Sequence, residues 1–337
     1  MAAPSVLVDS EERHFPLHCR RELSDAGFSG GASGVSSFAL VPLPAVLALS
    51  AMLALLVINH WIRASLVAPR VFERGEPDGL RWREVRIPTV RGKTLFGWFI
   101  PAGEQAPALA VLHGWGGNAE MMLPLARPLH AAGYALLFFD ARSHGRSDDD
   151  SFASLPRFAE DLDHAVDWLR EQADVNSSRV GVIGHSVGAG AALLLASRRR
   201  DLAVVVSLAA FAHPAAMMRR WLSFKRIPYW PLGAYILFYV QHVIGYRFDE
   251  IAPCRTIQAV TCPVLLAHGT EDETVPANEA REIHAHRRHE RVRLLLMSGS
   301  HDEYIEIERH MGTVVEFLNG AMSNSDVGPG RLRQPEN

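Results

Sequence analysis

The run Val180-Gly181-Val182-Ile183-Gly184-His185-Ser186-Val187-Gly188 decides how the rest of the chain is read. An apolar stretch with strand character leads into it, and an Ala/Leu-rich stretch with helix character leads out. Between them lies the spacing Gly-x-Ser-x-Gly. A serine lifted above a sheet on a sharp strand-to-helix turn needs small neighbours, because larger side chains would collide there. The three-position pattern recurs by chance, so its weight comes from its placement between strand and helix.

The pattern then extends outward. Short apolar runs read as buried strands: Ala108–Leu112, Tyr134–Phe139, Val180–Ile183, Ala203–Leu208, Val264–Ala267 and Val292–Met297. Glu84–Ile87 and Thr94–Ile100 read as an antiparallel pair. Helical patterns fall between most of them, over Met121–Ala132, Ser154–Gln172, Val187–Arg199, Ala277–His289 and Asp302–Leu318. Strands alternating with helices imply an α/β fold with a mostly parallel sheet covered on both faces. Ligands of such sheets bind at the carboxyl ends of the strands.

The loops at those ends carry the chemistry. A serine hydroxyl is a weak nucleophile and needs a base, which in turn needs an orienting acid. Asp272 follows the strand Val264–Ala267, and His301 follows Val292–Met297. Ser186, Asp272 and His301 are therefore the expected catalytic set. Glu271, Glu273 and Asp302 compete with Asp272 for the acid role. The backbone amides of Trp115 and Val187 are the expected oxyanion donors. His113, Gly114, Gly184, His185 and Gly188 are the expected supports.

These motifs together resemble the α/β-hydrolase superfamily. The resemblance rests on His113-Gly114, on Asp140-Ala-Arg-Ser-His144-Gly-Arg-Ser147, on Gly184-x-Ser186-x-Gly188, on His268-Gly-x-x-Asp272 and on His301. It covers Glu84 to Gly320, and membrane-anchored and esterase- or lipase-like members are the most similar. Ser143 stands where the family usually has glycine. The resemblance implies a serine hydrolase acting on carboxylic esters, with no cofactor and no metal. A peptidase or amidase using the same residues, or a catalytically silent binding protein, are the alternatives.

Upstream, no Asp, Glu, Lys or Arg occurs from Ala26 to Ile62. About 20 apolar residues span a bilayer. Residues 38–60 are thus expected to be a single transmembrane helix, after a flexible polar tail over 1–37. A cleaved signal peptide and a buried helix are the competing readings. Arg63, Arg70 and Arg74 follow the span closely, which favours a cytoplasmic catalytic domain. Residues 61–82 read as a linker and 83–320 as the hydrolase domain. Within it, 212–253 breaks the alternation and is rich in Trp, Tyr and Phe, as expected of a helical lid. Those aromatics suit lipid-like substrates and contact with the membrane interface, or else they are the lid's own core. Residues 321–337 are expected to be disordered.

Composition narrows the classes further. Hydrophobic residues make up 48%, which supplies a large core, and the formal net charge of −3 offers no field for nucleic acid. Cys19, Cys254 and Cys262 form no zinc spacing. Cys254 and Cys262 are either ordinary thiols or a pair in an oxidising compartment. His284, His286 and His289 lie on a charged helix, where a solvated face is expected.

Overall fold

The computed structural model describes residues 42–301 and 304–324. The tail over 1–37, the start of the expected span, Cys19, Asp302 and residues 325–337 lie outside the described residues. Two units are distinguished, Met1–Ser50 and Ala51–Asn337.

The first helix, α1 (Leu43–Ser65), begins in the smaller unit and runs on into the larger. It carries no acidic residue and is long and apolar enough to cross a membrane. In the larger unit its end is held by specific contacts. Ile62 is fully buried, and Tyr235 donates to Asn59 Oδ1 at 2.6 Å.

Then follow β1 (Arg83–Pro88), β2 (Thr94–Ile100), β3 (Ala106–Leu112), α2 (Ala126–Ala131), β4 (Ala135–Phe139), α3 (Leu155–Arg170), β5 (Val175–His185), α4 (Val187–Arg198) and β6 (Val205–Leu208). The second half holds α5 (Pro214–Phe224), α6 (Ala234–Ile244), α7 (Phe248–Ile251), α8 (Pro253–Thr256), β7 (Val264–Gly269), α9 (Asn278–Ala285), β8 (Val292–Met297) and α10 (Tyr304–Asn324). Eight strands form one sheet in the order β1-β2-β4-β3-β5-β6-β7-β8. β2 runs antiparallel to both its neighbours, and every other pairing is parallel.

β3, β4, β6 and β7 are almost wholly buried, as strands covered on both faces must be. One face packs against α3, α4 and α9 through residues such as Leu112, Leu162 and Leu193. The other packs against α2 and α10 through Val111, Leu129 and Val314. β5 lies in the middle, between β3 and β6, so the residue after it emerges at the centre of the carboxyl edge.

Two local expectations are corrected. Met121–Ala132 is not one α-helix. A 3-10 helix spans Ala119–Leu125, with Pro124 inside it, and gives way to α2. Proline supplies no N–H and crowds the carbonyl a turn earlier, which disrupts α-helical bonding there. The helix expected over Ala277–His289 ends at Ala285, and His289 is half-buried rather than solvated, with its Nε2 3.0 Å or less from a backbone carbonyl: 2.9 Å from Val260. Cys254 and Cys262 are buried free thiols, and burial pushes the Cys262 thiol up to about 12.

Candidate active site

Ser186 sits between β5 and α4 with φ 53° and ψ −115°. This is a backbone region that residues with a side chain rarely enter. Its amide donates to Leu208 O at 2.8 Å, which ties the turn to the next strand. The glycines around it are set by contact distance. A Cβ on Gly184 would fall 2.2 Å from Gly188 O, and one on Gly188 would fall 2.4 Å from His113 O. The strand, the turn and the loop after β3 are packed too closely for any side chain at these two positions.

The three expected catalytic side chains meet at the sheet's carboxyl edge. Ser186 Oγ lies 3.1 Å from His301 Nε2. His301 Nδ1 donates to Asp272 Oδ2 at 2.7 Å, which leaves Nε2 free to accept the serine proton. The acid and histidine loops are stitched together beforehand. Thr270 N donates to Met297 O at 2.7 Å and Glu271 N to Gly299 O at 3.1 Å. Among the acidic neighbours, Asp272 is buried while Glu271 and Glu273 are exposed.

A contact that the sequence reading did not include adds to this set. His268 Nε2 donates to Val275 O at 2.6 Å and lies 3.3 Å from Asp272 Oδ2. Val275 N donates to Asp272 Oδ1 at 2.7 Å. Burial alone would push the Asp272 carboxyl up. The bonds from His268, His301 and Val275 outweigh it and hold the group well below the usual carboxylate range. The acid is thus charged and fixed before any substrate arrives. The i,i+4 spacing of His268 and Asp272 was the available signal, read in the sequence only as a motif.

The residues expected as supports pin the loop after β3. His113 Nδ1 donates to Gly114 O at 2.7 Å, and its Nε2 accepts from Ala141 N at 3.1 Å. One ring therefore fixes both the loop after β3 and the loop after β4. Burial, then the His144 ring, pushes His113 far below its ordinary value and keeps it neutral. His185 Nε2 donates to His301 O at 3.0 Å. Burial, with the nearby His301, lowers His185 to about 3. Gly114 and Trp115 line the same cavity as Ser186 and Val187. Val187 is the first residue of α4, so its amide has no carbonyl a turn earlier to serve and faces the positive end of the helix dipole.

The Asp140 loop accommodates Ser143 where the resemblance implies glycine. Ser143 takes φ 65°, and its Oγ accepts from Asp150 N at 2.8 Å. Local hydrogen bonding of this kind offsets the left-handed backbone. Asp149, which with His144 forms an H-x4-D spacing, turns outward to Arg70.

The cavity over Ser186 measures about 490 Å³. Its walls are mainly apolar and include Trp115, Met218, Trp221, Ile236 and Val240. Ser65 and Leu66, at the end of α1, complete one side. Among the described residues, its lining contains no Asp, Glu, Lys or Arg.

A family model described as serine aminopeptidase, S33 matches residues 103–237. An uncharacterized protein of Mycobacterium tuberculosis is 30% identical over 205 residues. That match takes in 60% of this chain and 66% of the relative, just under two thirds of its length. An esterase of Pyrococcus furiosus superposes with a TM-score of 0.62 at 25% identity, over 76% of this chain and 99% of the esterase. A Butyrivibrio proteoclasticus protein with ferulic acid bound shares the fold, with a TM-score of 0.54 at 21% identity over 72% of this chain and all of that one. With the sheet order, the serine turn and these likenesses in agreement, the chain has the α/β-hydrolase fold, and the likenesses support a serine hydrolase of that superfamily.

Proposed function

We propose that this protein hydrolyses carboxylic esters of apolar acyl groups through Ser186, His301 and Asp272. The carrying observation is the unbroken path from Asp272 Oδ2 to His301 and on to Ser186 Oγ, opening onto a mainly apolar cavity.

In this reading His301 Nε2 takes the Ser186 proton as Oγ bonds to the ester carbonyl carbon. Asp272 stabilises the imidazolium. The amides of Val187 and Trp115 bind the oxyanion. The bond to the alkoxy group then breaks, and the alcohol leaves with the proton from Nε2. Water repeats the sequence on the acyl-enzyme, releasing the acid and freeing Ser186. No metal or cofactor takes part.

The family model's description gives a second reading, cleavage of peptides from the amino end. An aminopeptidase holds the substrate's ammonium group with an anion. Among the described residues the cavity lining carries no such anion, which favours the ester reading over it. In the same proposal, α1 anchors the protein in a membrane with the catalytic domain on the cytoplasmic side, where the arginines after the span would keep it.

A fluorophosphonate probe tests the nucleophile. It is expected to label the native chain and not Ser186→Ala, and a folded native chain that fails to label overturns the proposal. A graded ester series beside matching amides tests the substrate class, with hydrolysis expected to rise with acyl length and amides expected to be cleaved far more slowly.

A further inference from the structure

The large apolar residues between Ala212 and Pro253 divide into two populations. Leu222, Ile236, Leu237 and Val240 point inward and pack on the core. Phe224, Trp230 and Phe238 point outward, at 80%, 78% and 67% exposure. Large apolar side chains left exposed within one short stretch mark a surface that meets something apolar.

Charge on the same stretch is one-sided. From Pro214 to Arg247 there are five basic residues, Arg219, Arg220, Lys225, Arg226 and Arg247, and no Asp or Glu, in a chain whose net charge is −3. Arg220 is spent on an ion pair with Glu279. Arg219, Lys225 and Arg226 are exposed among the aromatics. The Arg219 guanidinium lies 5.1 Å from the Tyr229 ring centre, and Lys225 Nζ lies 5.7 Å from that of Phe224. Basic groups beside outward aromatic rings are the composition of a segment lying in the interface of an anionic bilayer.

The end of α1 packs on the same stretch. Trp61 and Trp221 have ring centres 6.3 Å apart, and Arg63 Nε donates to Tyr239 Oη at 2.8 Å. These contacts hold α5 and α6 beside the polar end of the apolar helix. Trp221 also lines the cavity over Ser186, as does Ser65.

We propose that α5, α6 and the turn between them form a surface for anionic phospholipid. Phe224, Trp230 and Phe238 enter the interface, and Arg219, Lys225 and Arg226 take the lipid phosphates. The cavity then fills from the bilayer, past Trp221 and the end of α1. The inference rests on the ester-hydrolase reading for its kinetic readout and on the anchor reading for the height of α1. Its binding readout depends on neither.

The test uses the full chain in phosphatidylcholine vesicles with and without phosphatidylglycerol. Two substrates are compared, a long-chain fluorogenic ester dissolved in the bilayer and a water-soluble butyrate ester. Phosphatidylglycerol is expected to raise cleavage of the bilayer ester. Lys225→Glu/Arg226→Glu is expected to abolish that gain, a loss of about tenfold or more in kcat/KM. Phe224→Asp/Trp230→Asp is expected to lower bilayer-ester cleavage in both membranes, with butyrate cleavage unchanged as proof of folding. Brominated phospholipid is expected to quench the native chain more than Trp230→Phe. That mild substitution decides the matter even where the aspartate variant does not fold. Equal quenching of the two proteins, or native bilayer-ester rates in folded charge-reversed and aspartate variants, overturns the proposal. Failure of the native chain to cleave butyrate overturns the ester reading instead, while quenching still reports on the lipid surface.

Discussion

At the residue scale, the strained serine and its two histidine neighbours divide their tasks cleanly. Asp272 accepts from Val275 N and from His301 Nδ1, so Asp272→Asn keeps the Val275 bond but presents the wrong partner to His301. A fall of roughly 10³ to 10⁴ in kcat is expected, with the thermal midpoint little changed. Steady-state kinetics beside calorimetry separates this from unfolding. His185 makes a pH prediction. Burial and the His301 ring lower it from 6.5 to about 3. Above pH 6.5 neither folded nor unfolded chain is protonated there, and the site costs nothing. Between pH 6.5 and about 3 the unfolded chain binds the extra proton, so each unit of acidification removes about 1.4 kcal/mol of stability. Asp161, raised by burial to about 6, acts in the opposite sense from pH 6 downward and masks part of this. The difference between the native chain and His185→Gln isolates the histidine. Denaturant titrations from pH 7 to 4 are expected to show a shallower acid slope in the variant by that amount.

At the scale of elements, the loop after β4 is held by one buried cation. Arg142 is 1% exposed and donates to Asp161 at 2.7 Å, to Glu160 at 2.7 Å and to Asp150 at 3.2 Å. Asp161 also accepts from Thr89 at 3.1 Å. Arg142→Met strands the Asp161 carboxylate and is expected to cost about 3–5 kcal/mol near neutral pH. Adding Asp161→Leu is expected to recover most of the loss, as measured by urea unfolding. Much at this scale was legible in the sequence. β2 and β8 run as their apolar patterns imply, and α4 starts at Val187, directly after Ser186. The break at Pro124 was missed because an amphipathic period does not register a lost N–H. The contact of His268 with Asp272 was missed because a four-residue spacing says nothing about how a loop folds back on itself.

For the larger unit, Ala51–Asn337, what sequence could not supply is the meeting of segments far apart in the chain. Asn59 and Tyr235, or Arg63 and Tyr239, are each separated by 176 positions. No local pattern links them. Ser65, read as linker, proves to be both the last residue of α1 and a wall of the cavity. The ordered trio of Ser186, Asp272 and His301 was legible because a parallel sheet delivers every strand end to one edge. The cavity's far wall was not, because it is borrowed from a helix outside the alternating pattern.

That shared wall bears on how the protein must be handled in solution. A detergent monomer is a single alkyl chain under a polar head, an outline that suits a mainly apolar chamber of about 490 Å³ above Ser186. The solubilising agent therefore becomes a competitor. Cleavage of a soluble ester is expected to show a KM that climbs with the alkyl length of the maltoside used, at unchanged kcat, and to recover on transfer to lipid nanodiscs. An unchanged KM across that series would mean the chamber is closed to chains of this kind. Otherwise, an acyl preference measured in one detergent reports the surfactant as much as the protein.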